Sequence, residues 1–388
     1  MANRSESSYK TELDLSELGE TTYECIDGCA LCCLCQPELL PHEEGKFRSD
    51  PELMSGVTDE HISPEVDGAA IKLQGAHGAC HFLKRRRCGV YNDRLHFCKA
   101  FPISVFAGWR IQLNVNLSCR GIGLPGKRLA EHGMEILDAI GETRVDEELE
   151  SAQDVFYQFS KNAKDTKTIQ SAGSVREACG FLSDDMLDEI GLSRILTYAE
   201  HGNTRQNSPA QDIARRARAS EPETNVDELA LMLGTELFDL PDLSYLPVYV
   251  DERLDWKVFQ LSGRNIVGHD LSEDGAIKEF VKVNPTDISL MPLSEEGKKE
   301  MERYLMLVNS RDCFLGHAAY LCDEDGYGYN FGQAYLGAMA NTIVDLWWRS
   351  SFLALLRDKE MLGRDEVREG VIFFDMDLLD LPTIGAFI

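Results

Sequence analysis

Nine of the 12 cysteines fall between Cys25 and Cys119, less than a quarter of this 388-residue chain. The stretch opens with Cys25-Ile-Asp-Gly-Cys29-Ala-Leu-Cys32-Cys33-Leu-Cys35 and closes with single cysteines at Cys80, Cys88, Cys98 and Cys119. Thiolates are soft metal ligands, so thiols crowded into one short loop point to a metal core rather than to a disulfide frame, whose pairs would be spread along a chain of this size. Zinc sites are commonly built from two C-x2-C knuckles, and the spacing here is C-x3-C-x2-C-C followed by isolated cysteines. Spread single thiols suit the separated corner irons of a 4Fe-4S cluster. Neighbouring side chains point apart, so Cys32 and Cys33 are expected to serve different centres. On that reading Cys25, Cys29, Cys32, Cys33, Cys80, Cys88, Cys98 and Cys119 supply one or two iron-sulfur clusters and Cys35 is the spare. One site with several ordinary buried cysteines, and zinc in place of iron, stay open.

Other residues compete for chemical roles. Lys84-Arg85-Arg86-Arg87 is a basic run in an acidic chain; it reads as a solvated loop, or as a charge that offsets a thiolate-ligated cluster. His77, His81 and His96 sit beside candidate ligands. Cys313 and Cys322, with His317 between them, read as buried thiols. Asp323-Glu-Asp325-Gly326 lacks the later ligands of a calcium loop and reads as a turn.

The combined pattern resembles the YkgJ-type cysteine cluster family, described as zinc- or iron-chelating. The residues that carry the resemblance are the C-x3-C-x2-C-C run, Cys80-His-Phe82-Leu83, Cys88-Gly-Val-Tyr91, Arg94-x3-Cys98-Lys-Ala-Phe101-Pro102 and Cys119-Arg-Gly-Ile-Gly123. The resemblance covers about residues 25–123. Leu95 and Arg120 stand where the family usually has proline, and neither change removes a ligand. The resemblance implies metal chelation and fixes no reaction. One branch resembling the pattern is the flagellin lysine-N-methylase group, and Cys25-x3-Cys29-x2-Cys32 is similar to the radical S-adenosylmethionine spacing. The chain shows neither the strand-helix alternation of a barrel nor a firm glycine-rich nucleotide loop.

The elements that must position these thiols are irregular at first. Proline and glycine interrupt the chain from Gln36-Pro37 through Asp50-Pro51 and Ser63-Pro64 to Gly78. Alternation from Trp109 to Leu117 predicts a strand, the second arm of a hairpin turning at Ala107-Gly108, with Cys119 just past its end. Helical periodicity follows from Gly126 through residues 145–163 and 175–199. Beyond a helix expected at 227–233, strands are expected at 246–250, 256–261, 265–269 and 276–283 as an antiparallel meander. Ser294 is a candidate cap for a helix to Val308. The apolar run 335–356 has the length of a membrane span, but Asn341, Asp345 and Arg349 recur on one face and mark a buried helix instead.

The fold class expected is α+β: a polar lead-in at 1–22, an irregular cysteine-rich metal-binding domain with helices at 23–199, a linker at 200–225, and a C-terminal domain of meander strands and helices at 226–388. A formal charge of −27 and a pI near 4.7 argue against nonspecific binding to nucleic acid or an anionic membrane surface. The first twenty residues lack the apolar run of a secretory signal, so the expected location is the cytoplasm. The leading functional expectation is an iron-sulfur protein in a redox or electron-transfer role with a protein redox partner. The alternatives are a cluster-dependent S-adenosylmethionine methyltransferase acting on a protein substrate, and a zinc-stabilised interaction module.

Overall fold

The structure is a computed structural model that describes residues 12–61, 68–75, 77–203 and 205–388. The lead-in at 1–11 and the Ser63-Pro64 interruption lie outside the described residues. The hairpin expected from the alternating pattern is present as Ile103–Ala107 and Ile111–Val115, antiparallel, with Val105 opposite Leu113. Leu13–Asp14 adds to it in parallel and Ala386–Phe387 closes the other edge. The first and last described parts of the chain therefore meet in one four-stranded sheet. Residues 13–18 are built into the fold, since Leu18 is fully buried and Glu17 reaches the buried Arg311.

The strand Ile111–Val115 is buried along its whole length, which forces Gln112 and Asn114 inside. Buried amides need partners, and both nitrogens find them: Gln112 Nε2 donates to Asp14 and to Ser310 O, and Asn114 Nδ2 donates to Glu17.

The helices follow the periodic stretches. Leu129–Ile140 and Glu142–Asp165 meet at Gly141, and the 175–199 stretch divides into Ala172–Phe181 and Glu189–His201. Ser171 Oγ accepts the Ser174 N–H at the start of the first of these, and Asp188 caps the second. The 200–225 run contains the helix Ala210–Arg218, whose Ile213, Ala214 and Ala217 are buried. The meander is observed as Val248–Val250, Trp256–Ser262, Asn265–Leu271 and Ile277–Val283, each strand antiparallel to the next. Ser294 caps Glu295–Ser310 by accepting the Gly297 N–H at 3.1 Å.

Phe331–Leu355 is the longest helix and is buried around most of its circumference. It packs against Arg364–Leu378, Glu189–His201, Asp312–Glu324 and Val226–Phe238. Arg349 pairs with Asp345 at 2.9 Å, the i,i+4 pair expected, and also with Asp377 on the neighbouring helix. Among the described residues no helix is long and apolar enough to cross a membrane. One hydrophobic core runs from Phe159 to Ile384 and takes in residues from both sides of the 200–225 run. The chain is α+β: among the described residues the helices are joined by two four-stranded sheets and three two-stranded ones, and the cysteine-rich segment carries only short elements.

Candidate metal centre

Three chain segments bring the thiols together. The first is pinned to the last: Glu24 N donates to Gly121 O at 3.1 Å and Gly123 N to Thr22 O at 2.8 Å, so Cys25 lies alongside Cys119. A Cβ on Gly121 would stand 2.1 Å from Glu24 O, so this approach requires glycine. Gly28 and Ala30, both with positive φ, then turn the chain into the single 3-10 turn Leu31–Cys33. The second segment is pinned by Cys80 N, which donates to Cys33 O at 2.7 Å. Gln74 supports it from beneath, its Nε2 donating to Cys80 O and Leu83 O. A hairpin of Leu83–Lys84 and Arg87–Cys88 then presents Cys88, and the short helix His96–Ala100 presents Cys98. Leu95, in the place of the family's usual proline, has the extended backbone of that helix's N-cap and is buried.

The result is a cavity of about 320 Å³ lined by Cys25, Cys32, Cys33, Cys80, Cys88 and Cys98. Its remaining wall is largely apolar, with Phe47, Ile71, Phe82 and Leu95 prominent. Cys29 and Cys119 do not line it and stand on the Cys25 side. Cys35 lies behind it, with its thiol directed to Cys32 O at 3.3 Å. No three of the described His, Cys, Asp or Glu side chains sit at the separations of a finished metal site; the thiols ring a space rather than a point.

Burial raises the pKa of most of these thiols, because the charged form loses water. Cys80 is pushed up to about 11, Cys35 and Cys119 to about 12, and Cys25, Cys29, Cys88 and Cys98 also rise. Cys32 is the exception: a hydrogen bond from the Cys33 thiol lowers it to about 7 and raises Cys33 in turn. Negative charge on Cys32 opposes ionisation of each of the other eight. Cys25, Cys29 and Cys119 influence one another on one side of it. Cys33, Cys35, Cys80, Cys88 and Cys98 do so on the other.

Three guanidinium groups balance this charge. Arg94 acts on Cys25, Cys32 and Cys88, while Arg86 and Arg120 act on Cys29. Arg120, the second departure from the family's pattern, pairs with Glu369 and donates to Val250 O at 2.7 Å, which ties the residue after Cys119 to the C-terminal half. Trp256 and Glu273, also from that half, contact the cysteine segment directly: Trp256 Nε1 donates to Cys29 O at 2.8 Å, and Glu273 O accepts from Ala79 N at 2.8 Å. No local sequence signal marks these two residues, which act across more than 190 positions.

None of the histidine candidates lines the cavity. His77 Nδ1 is 3.0 Å from Asp242 and His81 Nε2 is 3.2 Å from Ser55 Oγ; the backbone N–H of His96 donates to Glu43, while its imidazole Nε2 is buried without a hydrogen-bond partner among the described residues. Cys313 and Cys322 are buried thiols in the helix Asp312–Glu324, and His317 Nδ1 contacts Pro382 O at 2.7 Å. In the Asp323–Gly326 run, Asp323 and Glu324 end the helix Asp312–Glu324 and Asp325 and Gly326 form the turn that follows, with Gly326 at φ 63°.

Fold and site together define an α+β protein with a cysteine-built metal-binding domain. Residues 24–120 match the model of the CxxCxxCC family, described as a zinc- or iron-chelating domain. This agrees with the resemblance carried by the cysteine motifs. No curated protein and no solved structure matches the chain.

Proposed function

We propose that the cysteine core holds iron-sulfur and serves electron transfer. The observation that carries this reading is the cavity of about 320 Å³ bounded by six thiol-bearing residues. A structural zinc ion draws four thiolates to about 2.3 Å and closes the space between them. A polynuclear cluster occupies volume and takes its ligands from separated segments. The donor set fits: thiols line the site, most of its other wall is apolar, and Arg86 and Arg94 on that wall offset the negative charge. When bound, the cluster would supply one-electron redox chemistry. This chain's residues would ligate it, shield it and set its potential. All twelve cysteines are free thiols, which supports a reducing compartment such as the cytoplasm. Tyr91 and Phe97, exposed beside the cysteines, offer a surface on which a protein redox partner would approach.

Anaerobic purification followed by iron, zinc and acid-labile sulfide analysis tests the reading, with absorbance and paramagnetic resonance before and after reduction. Iron and sulfide in matching amounts, with a reducible signal, are expected. Stoichiometric zinc without sulfide overturns the proposal. A spectral change on adding S-adenosylmethionine to the loaded protein would transfer the reading to methyl transfer.

A further inference from the structure

The hairpin that presents Cys88 turns on two arginines. Leu83 pairs with Cys88 and Lys84 with Arg87, which leaves Arg85 and Arg86 as a two-residue loop with φ of 52° and 60°. Left-handed backbone at both central positions is what a type I′ turn demands, and Asn-Gly meets that demand with least strain. Arginine at both positions is a strained choice. Strained backbone persists where surrounding structure over-determines it, and here that structure comes from the meander. Glu273, in the turn before Ile277–Val283, accepts the backbone N–H of Arg85 at 3.0 Å and that of Arg86 as well.

The same end of the meander fixes the Arg86 side chain. Its guanidinium carbon lies 3.3 Å from the centre of the Trp256 ring, and the indole N–H of Trp256 is bound to Cys29 O. A Cβ on Gly78 would stand 2.5 Å from Glu273 O and 2.7 Å from Gly275 N, so the meander turn lies directly against the backbone that leads to Cys80. Trp256 thus holds the first cysteine segment and Glu273 the second, with Arg86 between them.

Arg86 carries a buried donor that the other arginines beside the thiols do not. Arg87 is paired with Asp27, Arg120 with Glu369 and Val250 O, and Arg94 stacks on Tyr91 while its Nε donates to Tyr91 O. Nη1 of Arg86 is buried with no hydrogen-bond partner among the described residues, and Arg86 lines the thiol cavity. A buried donor without an acceptor is costly unless a ligand supplies one.

We propose that Arg86 is a counter-charge of the metal centre, its guanidinium donating toward the ligating sulfurs, and that the meander sheet exists in part to hold it there. The inference rests on the reading that the cysteine core binds metal through thiolates, not on which metal it is. A fixed positive charge beside a thiolate centre stabilises the thiolates and the more negative, reduced form, so it raises both metal affinity and reduction potential.

The test uses the full chain loaded anaerobically with ferrous iron and sulfide and, separately, with zinc. Arg86→Gln should retain the parent's metal stoichiometry yet lose metal to a competing chelator about tenfold more readily. With iron-sulfur bound, its reduced-to-oxidised ratio at a fixed potential should fall about tenfold, a downward shift of about 59 mV for one electron. Arg86→Lys, which keeps the charge, should stay within about threefold of the parent on both readouts. Trp256→Phe keeps an aromatic face but frees Cys29 O, and should weaken metal retention by about threefold. Parent-like affinity and potential in a folded Arg86→Gln overturn the proposal. Should Arg86→Gln fail to fold by circular dichroism, Glu273→Ala, which releases the Arg85-Arg86 loop, takes its place, and parent-like retention and potential in that folded variant overturn the proposal. Zinc without sulfide in the parent removes the iron-sulfur reading alone, because the zinc competition still decides the role of Arg86.

Discussion

Cys32 and Cys33 are adjacent in the turn Leu31–Cys33 and both line the thiol cavity, with Cys25 beside Cys119 in one direction and Cys80, whose N–H is bound to Cys33 O, in the other. Two centres, one toward Cys25, Cys29 and Cys119 and one toward Cys80, Cys88 and Cys98, would follow if Cys32 and Cys33 divide between them. Cys32→Ser and Cys33→Ser should then each remove about half of the bound iron, and the double variant nearly all of it. Equal losses in both single variants and the double would leave one centre. Cys35→Ser should keep parent-like iron content, since its thiol is spent on Cys32 O rather than on the cavity. Metal-ligand chemistry was legible in the sequence because thiols declare it by residue type and spacing. The contributions of Trp256 and Glu273 were not, because a tryptophan in a strand and a glutamate in a turn look the same whether they face solvent or a cysteine loop.

At the scale of elements, the meander and the helix Arg364–Leu378 are joined to the cysteine segment by a cluster of charges. Glu369 on that helix accepts from Arg120, Tyr249 and Arg357. Burial alone would raise the Glu369 carboxyl, but these three donors outweigh it and hold the pKa below 4.5. A carboxylate whose folded pKa is depressed contributes stability that is present above its unfolded pKa and lost as pH falls through the folded value. Stability should therefore decline below about pH 4.5 partly through this residue. Glu369→Gln should cost about 1–3 kcal/mol at pH 7 by leaving Arg120 and Arg357 incompletely paired. It should also flatten the acid limb of the stability profile. Urea melts of parent and variant between pH 3.5 and 7 measure both effects, and parallel acid limbs would show that Glu369 does not titrate with unfolding. Arg120 was visible beforehand only as a departure from the family's pattern; its partner lies 249 positions away. The strands of the meander were readable because alternation and Gly or Asp turns are local signals. The helix Ala210–Arg218 was not, because nine residues flanked by Pro209 and several asparagines carry too short a period to stand out from a linker.

Over the whole molecule, a boundary at 200–225 predicts two parts that melt separately, whereas the buried polar network predicts one. Arg311 is fully buried and binds Glu17 at 2.8 Å, Asp375 at 2.7 Å and Val115 O at 2.9 Å. Asp375, equally buried, also accepts from Tyr304 Oη at 2.7 Å and from Leu117 N at 2.6 Å. The segment before the cysteines, the strand leading to Cys119, and two C-terminal helices thus share a single set of ion pairs and hydrogen bonds. The hydrophobic core that spans Phe159 to Ile384 adds a second tie of the same kind. Removing one member of a buried charge network leaves the others unpaired in a medium that penalises charge, at a cost of about 3–5 kcal/mol. Asp375→Ala should cost that much, and it should do so equally whether unfolding is followed by cysteine accessibility in residues 25–119 or by circular dichroism of the helices. Coincident transitions in the parent, shifted together in the variant, are the expected outcome. A variant in which the helices melt early while the cysteine segment keeps its parent midpoint would show that the network does not couple them, and the two parts would then have to be treated as separate domains.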